Sequence, residues 1–211
     1  MQRIFHNVKT ICVVVLLVEI VIASYRPLDL PSYLLHQVGT VLFLLALYVC
    51  NRREPLSAVA WIGSTLFLSL HILAAHYLYS FVPYNDWLKS WFGLDLNATL
   101  GFGRNMFDRL VHFGYGFLLF PVFAEGIRRW SLPLQSHWKW GAMCVMWIMA
   151  SSMVYELIEW AISLLLSPEA VENYNGQQGD VWDAHKDMLL ATFGGLAAWI
   201  MMPNSWWSHF R

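Results

Sequence analysis

Two carboxylates, Glu156 and Glu159, stand in Tyr155-Glu156-Leu157-Ile158-Glu159-Trp160, inside an apolar run from about Trp138 to Leu166. Spaced i, i+3, they share one face of a helix. An ionised carboxylate in mid-membrane costs about 2.5–3.5 kcal/mol on insertion scales, so such groups face a protein interior or a wet cavity. Two other stretches carry side chains of complementary chemistry. Asp108, Arg109 and His112 open a second apolar run, with Asp108 and His112 at i, i+4 on one face. Asp180, Asp183 and Asp187 open a third at i, i+3, i+7 and form an acidic stripe beside Lys186. Arg104 lies just before the first of these.

This set supports three kinds of chemistry. In the first, Arg109 and Lys186 neutralise Asp108, Glu156, Glu159 or Asp187 in buried ion pairs that hold helix register. In the second, His112, Glu156, Glu159 and Asp187, with Asp183 and His71 nearby in type, ligate zinc or a harder divalent ion. A divalent metal is thus the cofactor class implied. In the third, Arg104 and Arg109 clasp a phosphate or carboxylate, while the acids act as acid–base groups or acceptors. The expected ligand-binding set is Asp108, Arg109, His112, Glu156, Glu159, Asp183, Asp187 and Arg104. His36, His71 and His76 read singly as hydrogen-bonded helix residues. His6, His137 and His209 belong to the opposite side, and His185 faces solvent. Gly101-Phe102-Gly103-Arg104 follows no strand and is not a phosphate-binding fingerprint.

The elements that position these residues follow from composition. Of 211 residues, 58% are hydrophobic and 13% charged, the latter about half the usual share in soluble domains. Apolar stretches long enough to cross a bilayer recur. The fold class expected is all-α, a polytopic membrane bundle of about six transmembrane helices in one domain over 1–211. The spans lie near 9–25, 33–50, 56–79, 106–124, 139–166 and 183–202. A net charge of −1 gives no sign of a nucleic-acid partner; membrane lipids are the expected surroundings. Trp61, Trp87, Trp91, Trp138, Trp140, Trp182, Trp206 and Trp207 flank the runs as an interfacial belt. Glu19, inside the first run, favours a retained helix over a cleaved signal. Trp87, Leu88, Trp91, Phe92 and Leu94 suit a segment lying on the outer leaflet.

Lys and Arg give the orientation. Arg3, Lys9, Arg52, Arg53, Arg128, Arg129, Lys139 and Arg211 fall on one side, which makes that side and both termini cytoplasmic. Cys12, Cys50 and Cys144 lie near that reducing side and are expected as free thiols. At about 1.5 Å per residue, Glu156 lies roughly 25 Å and Glu159 about 30 Å beyond Lys139, at the outer end. The fourth and sixth spans begin there too, and His36, His71, His76 and Glu19 fall in the same half. The ionisable side chains therefore converge at one end of the bundle.

Asp108-Arg109-Leu110-Val111-His112-Phe113-Gly114-Tyr115 resembles the Asp-Lys-x-x-His-Phe opening of VanZ-like membrane proteins. Glu156-Leu157-Ile158-Glu159 is similar to their Glu-Leu-x-Gln helix, and Asp187 to Gly194 to their Asp-x-x-x-Asn-x-x-Gly segment. Arg109, Glu159 and Ala191 replace that family's Lys, Gln and Asn. Over nearly its full length the chain resembles the YjdF-type bacterial inner-membrane family, through Gly103-Arg104-Asn105-Met106-Phe107-Asp108-Arg109, the Tyr155–Trp160 block and Gly179-Asp180-Val181-Trp182-Asp183-Ala184-His185-Lys186-Asp187. These resemblances imply an inner-membrane location and an envelope-facing role. The function expected is recognition of a polar or lipid-linked envelope ligand in an outer-face pocket. A metal-dependent hydrolase of a lipid-linked substrate and an ion-coupled transporter are the alternatives.

Overall fold

The apolar runs are almost unbroken by glycine–proline punctuation, and each folds as one helix. The structure, a computed structural model, describes residues 2–130, 136–203 and 206, with the side chains of 2–6 and 130 excepted. Expectations placed on Trp207, His209 and Arg211, and on the side chains of Arg3 and His6, lie outside what is described. Among the described residues the chain is all-helical. In order the helices are α1 (Gln2–Ala23), α2 (Leu30–Arg53), α3 (Ala58–His76), α4 (Tyr84–Phe92), α5 (Leu96–Leu100), α6 (Phe107–Trp130), α7 (His137–Ser163), α8 (Pro168–Asn175) and α9 (Asp183–Met201). The six long helices overlap the six stretches expected as spans, but α1 begins at Gln2 instead of 9 and α6 runs on to Trp130 instead of 124.

Helices α2, α3, α6 and α7 are long and apolar enough to cross a membrane. At 22 residues α1 is also of spanning length. Asp183, Lys186 and Asp187 make the start of the 19-residue α9 polar, and its apolar part begins after them. The third span was expected to reach residue 79 but ends at His76. Leu78 and Tyr79 then adopt left-handed backbone, φ 52° and 57°, and turn the chain sharply. Side-chain caps mark four helix starts: Asp29 accepts from the Ser32 N–H (2.9 Å), Ser57 from Ala60 (3.2 Å), Asp95 from Ala98 (3.0 Å) and Ser167 from Ala170 (3.3 Å).

Helix α6 lies at the centre, packed against α3, α7 and, most extensively, α9. The α6–α9 approach is backbone to backbone. A Cβ on Gly116 would overlap the Ala191 carbonyl, and one on Gly194 would overlap the Phe113 carbonyl. Such small residues let membrane helices approach without a hydrophobic driving force. Helices α2 and α7 turn broad apolar faces outward, with Leu34, Val41 and Leu45 on one and Trp147, Val154 and Leu157 on the other exposed. In a bilayer those faces meet lipid.

The two ends differ in chemistry. At one end Arg128 pairs with Glu54, and Arg129 donates to the carbonyls of Cys50 (3.1 Å) and Glu54 (2.7 Å), tying α6 to the end of α2. Glu125 accepts from both the N–H and the hydroxyl of Ser57, holding α6 to the start of α3. At the other end α4, α5 and α8 cover the bundle. The amphipathic α4 exposes Trp91 and Phe92, in keeping with a segment lying on a leaflet. In the following loop, a bond from Lys89, the Ala98 N–H and the Asn85 amide hold the Asp95 carboxyl down at about 2. Cys12, Cys50 and Cys144 are free thiols.

A methyl at the α6–α9 contact has nowhere to go, whereas a Cβ at Gly39 on α2 meets nothing within 4 Å. Gly116→Ala is expected to lose about 1–3 kcal/mol, the usual cost of overpacking, and Gly39→Ala to be neutral. Thermal unfolding of both variants in one detergent checks this.

Candidate functional site

The site begins with the guanidinium of Arg109, one turn into α6 and buried. Its Nη2 donates to Asp183 Oδ1 at 2.6 Å and to Asp180 Oδ2 at 3.1 Å. Its Nη1 donates to the Asp183 carbonyl at 3.2 Å and is ion-paired with Asp187. The acidic stripe read from the sequence thus closes around one side chain of the neighbouring helix. Arg104 adds a second cation, donating to Asp183 Oδ1 at 2.6 Å and to the carbonyls of Gly176 (3.0 Å) and Gln177 (2.9 Å). Lys186 donates to Asp180 at 2.6 Å, and that bond holds the loop carboxyl below the usual carboxylate range.

Local sequence explains the placement. Asn105 donates from its side chain to the Val82 carbonyl (2.8 Å) and from its N–H to Gln178 Oε1 (2.9 Å), while Gln178 donates back to the Asn105 carbonyl (3.1 Å). Gln178 takes a left-handed backbone, φ 52°. The Gly103–Asn105 segment and the 176–180 segment are thereby laced together, and α6 and α9 start side by side. Asp183 in the first turn of α9 also suits the positive end of that helix.

Deeper in, the balance changes. His112 Nε2 lies 3.4 Å from Asp108 Oδ1 and 3.9 Å from Asp187 Oδ1. Its Nδ1 lies 3.9 Å from Glu156 Oε1, an atom that is buried without a hydrogen-bond partner. Glu159, partly buried, is hydrogen-bonded with the Tyr155 side chain and lies farther along α7. Of the expected metal ligands, His112 and Asp187 do come together. The third member of the close set is Asp108, in place of Glu156 and Glu159; these three offer ligand atoms within 4.8 Å of one another. The reason is helix rotation: Glu156 faces the other ring nitrogen of His112. The two arginines, expected as anion ligands, are engaged by carboxylates and carbonyls.

Beyond His112 lies a cavity of about 160 Å³ between α2, α3, α6 and α7. Phe43, Phe67, Leu68 and Val111 form apolar walls; Thr40, His71, Tyr79, Ser152 and Tyr155 bring polar atoms to it. Both ring nitrogens of His71 are occupied by hydrogen bonds: Nε2 lies 3.3 Å from the His36 carbonyl, which only accepts, so Nδ1 receives the Tyr79 hydroxyl. His36 bonds to the Ser32 carbonyl at 2.8 Å and stacks on Tyr79, and His76 bonds to the Ala23 carbonyl at 2.8 Å. Glu19 takes no part; it accepts from Ser69 at 2.8 Å and links α1 to α3. The sequence reading missed the cavity. Ser152, one turn before Glu156 on the same face, was the signal that helix periodicity offered.

A bundle of membrane-length helices with a buried charge cluster at one end defines a polytopic α-helical membrane protein. Residues 8–205 match the family described as predicted membrane protein DUF2238, and the chain belongs to that family. It is similar to the inner membrane protein YjdF of Escherichia coli strain K12, with 27% identity over 176 residues, 83% of this chain and 79% of that protein. No solved structure matches it.

Removing one partner of a buried pair strands the other charge, at about 3–5 kcal/mol. Arg109→Gln is expected to lose that much, whereas Glu156→Gln, which removes an acid whose Oε1 has no partner, is expected to be neutral or stabilising. Unfolding midpoints of the two variants against wild type check the contrast.

Proposed function

We propose that this membrane protein recognises a lipid-linked envelope ligand, with the apolar part of the ligand in the cavity and its polar head against His112 and Glu156. One observation carries the reading: an apolar-walled cavity ends on His112, whose far side meets the buried Glu156 oxygen that has no hydrogen-bond partner. Binding sites are typically of this kind, mostly apolar with a few convergent polar groups. Gly39, which lines the cavity, is exposed on the lipid-facing side of α2, so a chain in the membrane has a point of entry. The excess of Lys and Arg at the opposite end supports an outward-facing site, in the outer leaflet of an inner membrane, with both termini cytoplasmic. The VanZ-like segments at 108–115 and 187–194 fall in the same cluster and support an envelope ligand.

With both arginines engaged, the head group is held by hydrogen bonds to the unpartnered hydroxyls of Ser152 and Thr40, beside His112 and Glu156, and not by a guanidinium clamp. A second reading, hydrolysis of a lipid-linked substrate by a metal-activated water, is favoured by the close set Asp108, His112 and Asp187.

Gly39→Phe places a ring at the cavity mouth without a clash at its Cβ. Mass spectrometry of lipid extracted from purified wild type is expected to find one enriched species that is lost in Gly39→Phe. Equal lipid content in the two proteins, both folded, would overturn the proposal.

A further inference from the structure

The charge count around Arg109 does not close. Asp108, Asp180, Asp183, Asp187 and Glu156 face Arg104, Arg109, Lys186 and the His112 imidazole among the described residues, which leaves one carboxylate without a countercharge when His112 is protonated and two when it is neutral. Glu159, farther along α7, adds another. Asp187 is 2% exposed, Asp108 4% and Glu156 9%. Ionised groups at such depth are costly unless paired or bound to a metal.

We propose that Asp108, His112 and Asp187 form a divalent-cation site, with Glu156 as the residue that positions the histidine. An ion bonded to nitrogen and oxygen at about 2.1 Å separates its ligand atoms by roughly 3–4 Å. His112 Nε2 is 3.4 Å from Asp108 Oδ1 and 3.9 Å from Asp187 Oδ1, with all three ligand atoms inside 4.8 Å. The two ring nitrogens have separate tasks. Nε2 faces the two aspartates, and Nδ1 faces Glu156 at 3.9 Å. A carboxylate on the far nitrogen of a ligating histidine fixes its tautomer and ring orientation. That gives the buried Glu156 oxygen, which has no hydrogen-bond partner, a purpose that the ion pairs do not provide.

Neighbouring carboxylates and histidines are excluded by their partners. Both guanidiniums hold Asp183, and Tyr79 with the His36 carbonyl holds His71. Arg109 is paired with Asp187 Oδ1 and lies 3.9 Å from Asp108 Oδ2, so the ion takes Asp108 Oδ1 and shares the Asp187 carboxylate with the guanidinium. One imidazole and two carboxylates suit a first-row divalent ion such as Zn²⁺ or Mn²⁺. The ion sits where His112 borders the cavity and supplies the positive charge that the engaged arginines do not. The inference deepens the ligand reading of this site and rests on it only for the role of the ion. Its presence is measured without any ligand.

The test uses full-length protein in detergent, stripped with chelator, incubated separately with Zn²⁺, Mn²⁺ and Co²⁺, desalted and analysed for metal. Wild type is expected to hold about one equivalent of at least one ion. His112→Gln, which leaves Arg109 and its partners intact, is expected to lose it, as is Asp187→Asn. Glu159→Gln is expected to keep it. Glu156→Gln is expected to bind about 10–100-fold more weakly, with a changed Co²⁺ absorption spectrum, a readout that a purely structural role would leave unmoved. Folding of each variant is checked by its unfolding midpoint. Metal-free wild type under all three conditions would overturn the site, as would full binding in a folded His112→Gln. Neither result bears on lipid copurification, so the two proposals fail separately.

Discussion

A guanidinium buried one turn inside α6 constrains everything around it. Arg109 is buried, so carboxylates must be brought to it, and they come from the start of α9 and the loop before. That requirement accounts for the backbone-to-backbone contact of Gly116 and Gly194, because only a close α6–α9 approach lets one side chain reach Asp180, Asp183 and Asp187 together. It also accounts for the lacing of Asn105 to Gln178, which aligns the two helix starts. Elsewhere the bundle is held by apolar packing and by scattered polar links, among them Glu19 to Ser69, Glu125 to Ser57 and Arg129 to the end of α2.

The network divides the polar end into two layers. The outer layer, Arg104, Lys186, Asp180 and Asp183, is closed by its own pairs. The inner layer, Asp108, His112, Asp187 and Glu156, carries more negative charge than its partners offset, and it borders an apolar cavity. Ion pairing alone explains the first layer. The second has the composition of a site, with one imidazole between two sets of carboxylates and a hydrophobic space beside it.

The long helices were legible because hydropathy acts over some 20 residues at a time, strongly enough to carry α6 through its internal Pro121. The convergence of acids was legible too, since alternating helix direction and a fixed rise place Glu156, Asp108 and Asp187 at one end whatever the packing. The pairing itself was not. Which acid meets Arg109 depends on helix rotation, and apolar residues surround these helices on most faces, so amphipathicity does not set that angle. Hence Asp187, an expected partner, holds the guanidinium together with Asp183 and Asp180, while Glu156 and Glu159 do not, and Arg104 joins from a loop. The left-handed turn at Leu78–Tyr79 has no glycine to mark it, and the walls of the cavity that Tyr79 lines were invisible in one dimension.

The most direct test of this account is a double-mutant cycle between Arg109 and Asp183, using Arg109→Gln, Asp183→Asn and the pair, on unfolding free energy in one detergent. If the guanidinium holds α6 to α9 through that carboxylate, the two changes are strongly non-additive, with a coupling of about 1–3 kcal/mol. Additive losses would mean that the two residues act independently and that helix packing, and not the buried charge network, organises the site.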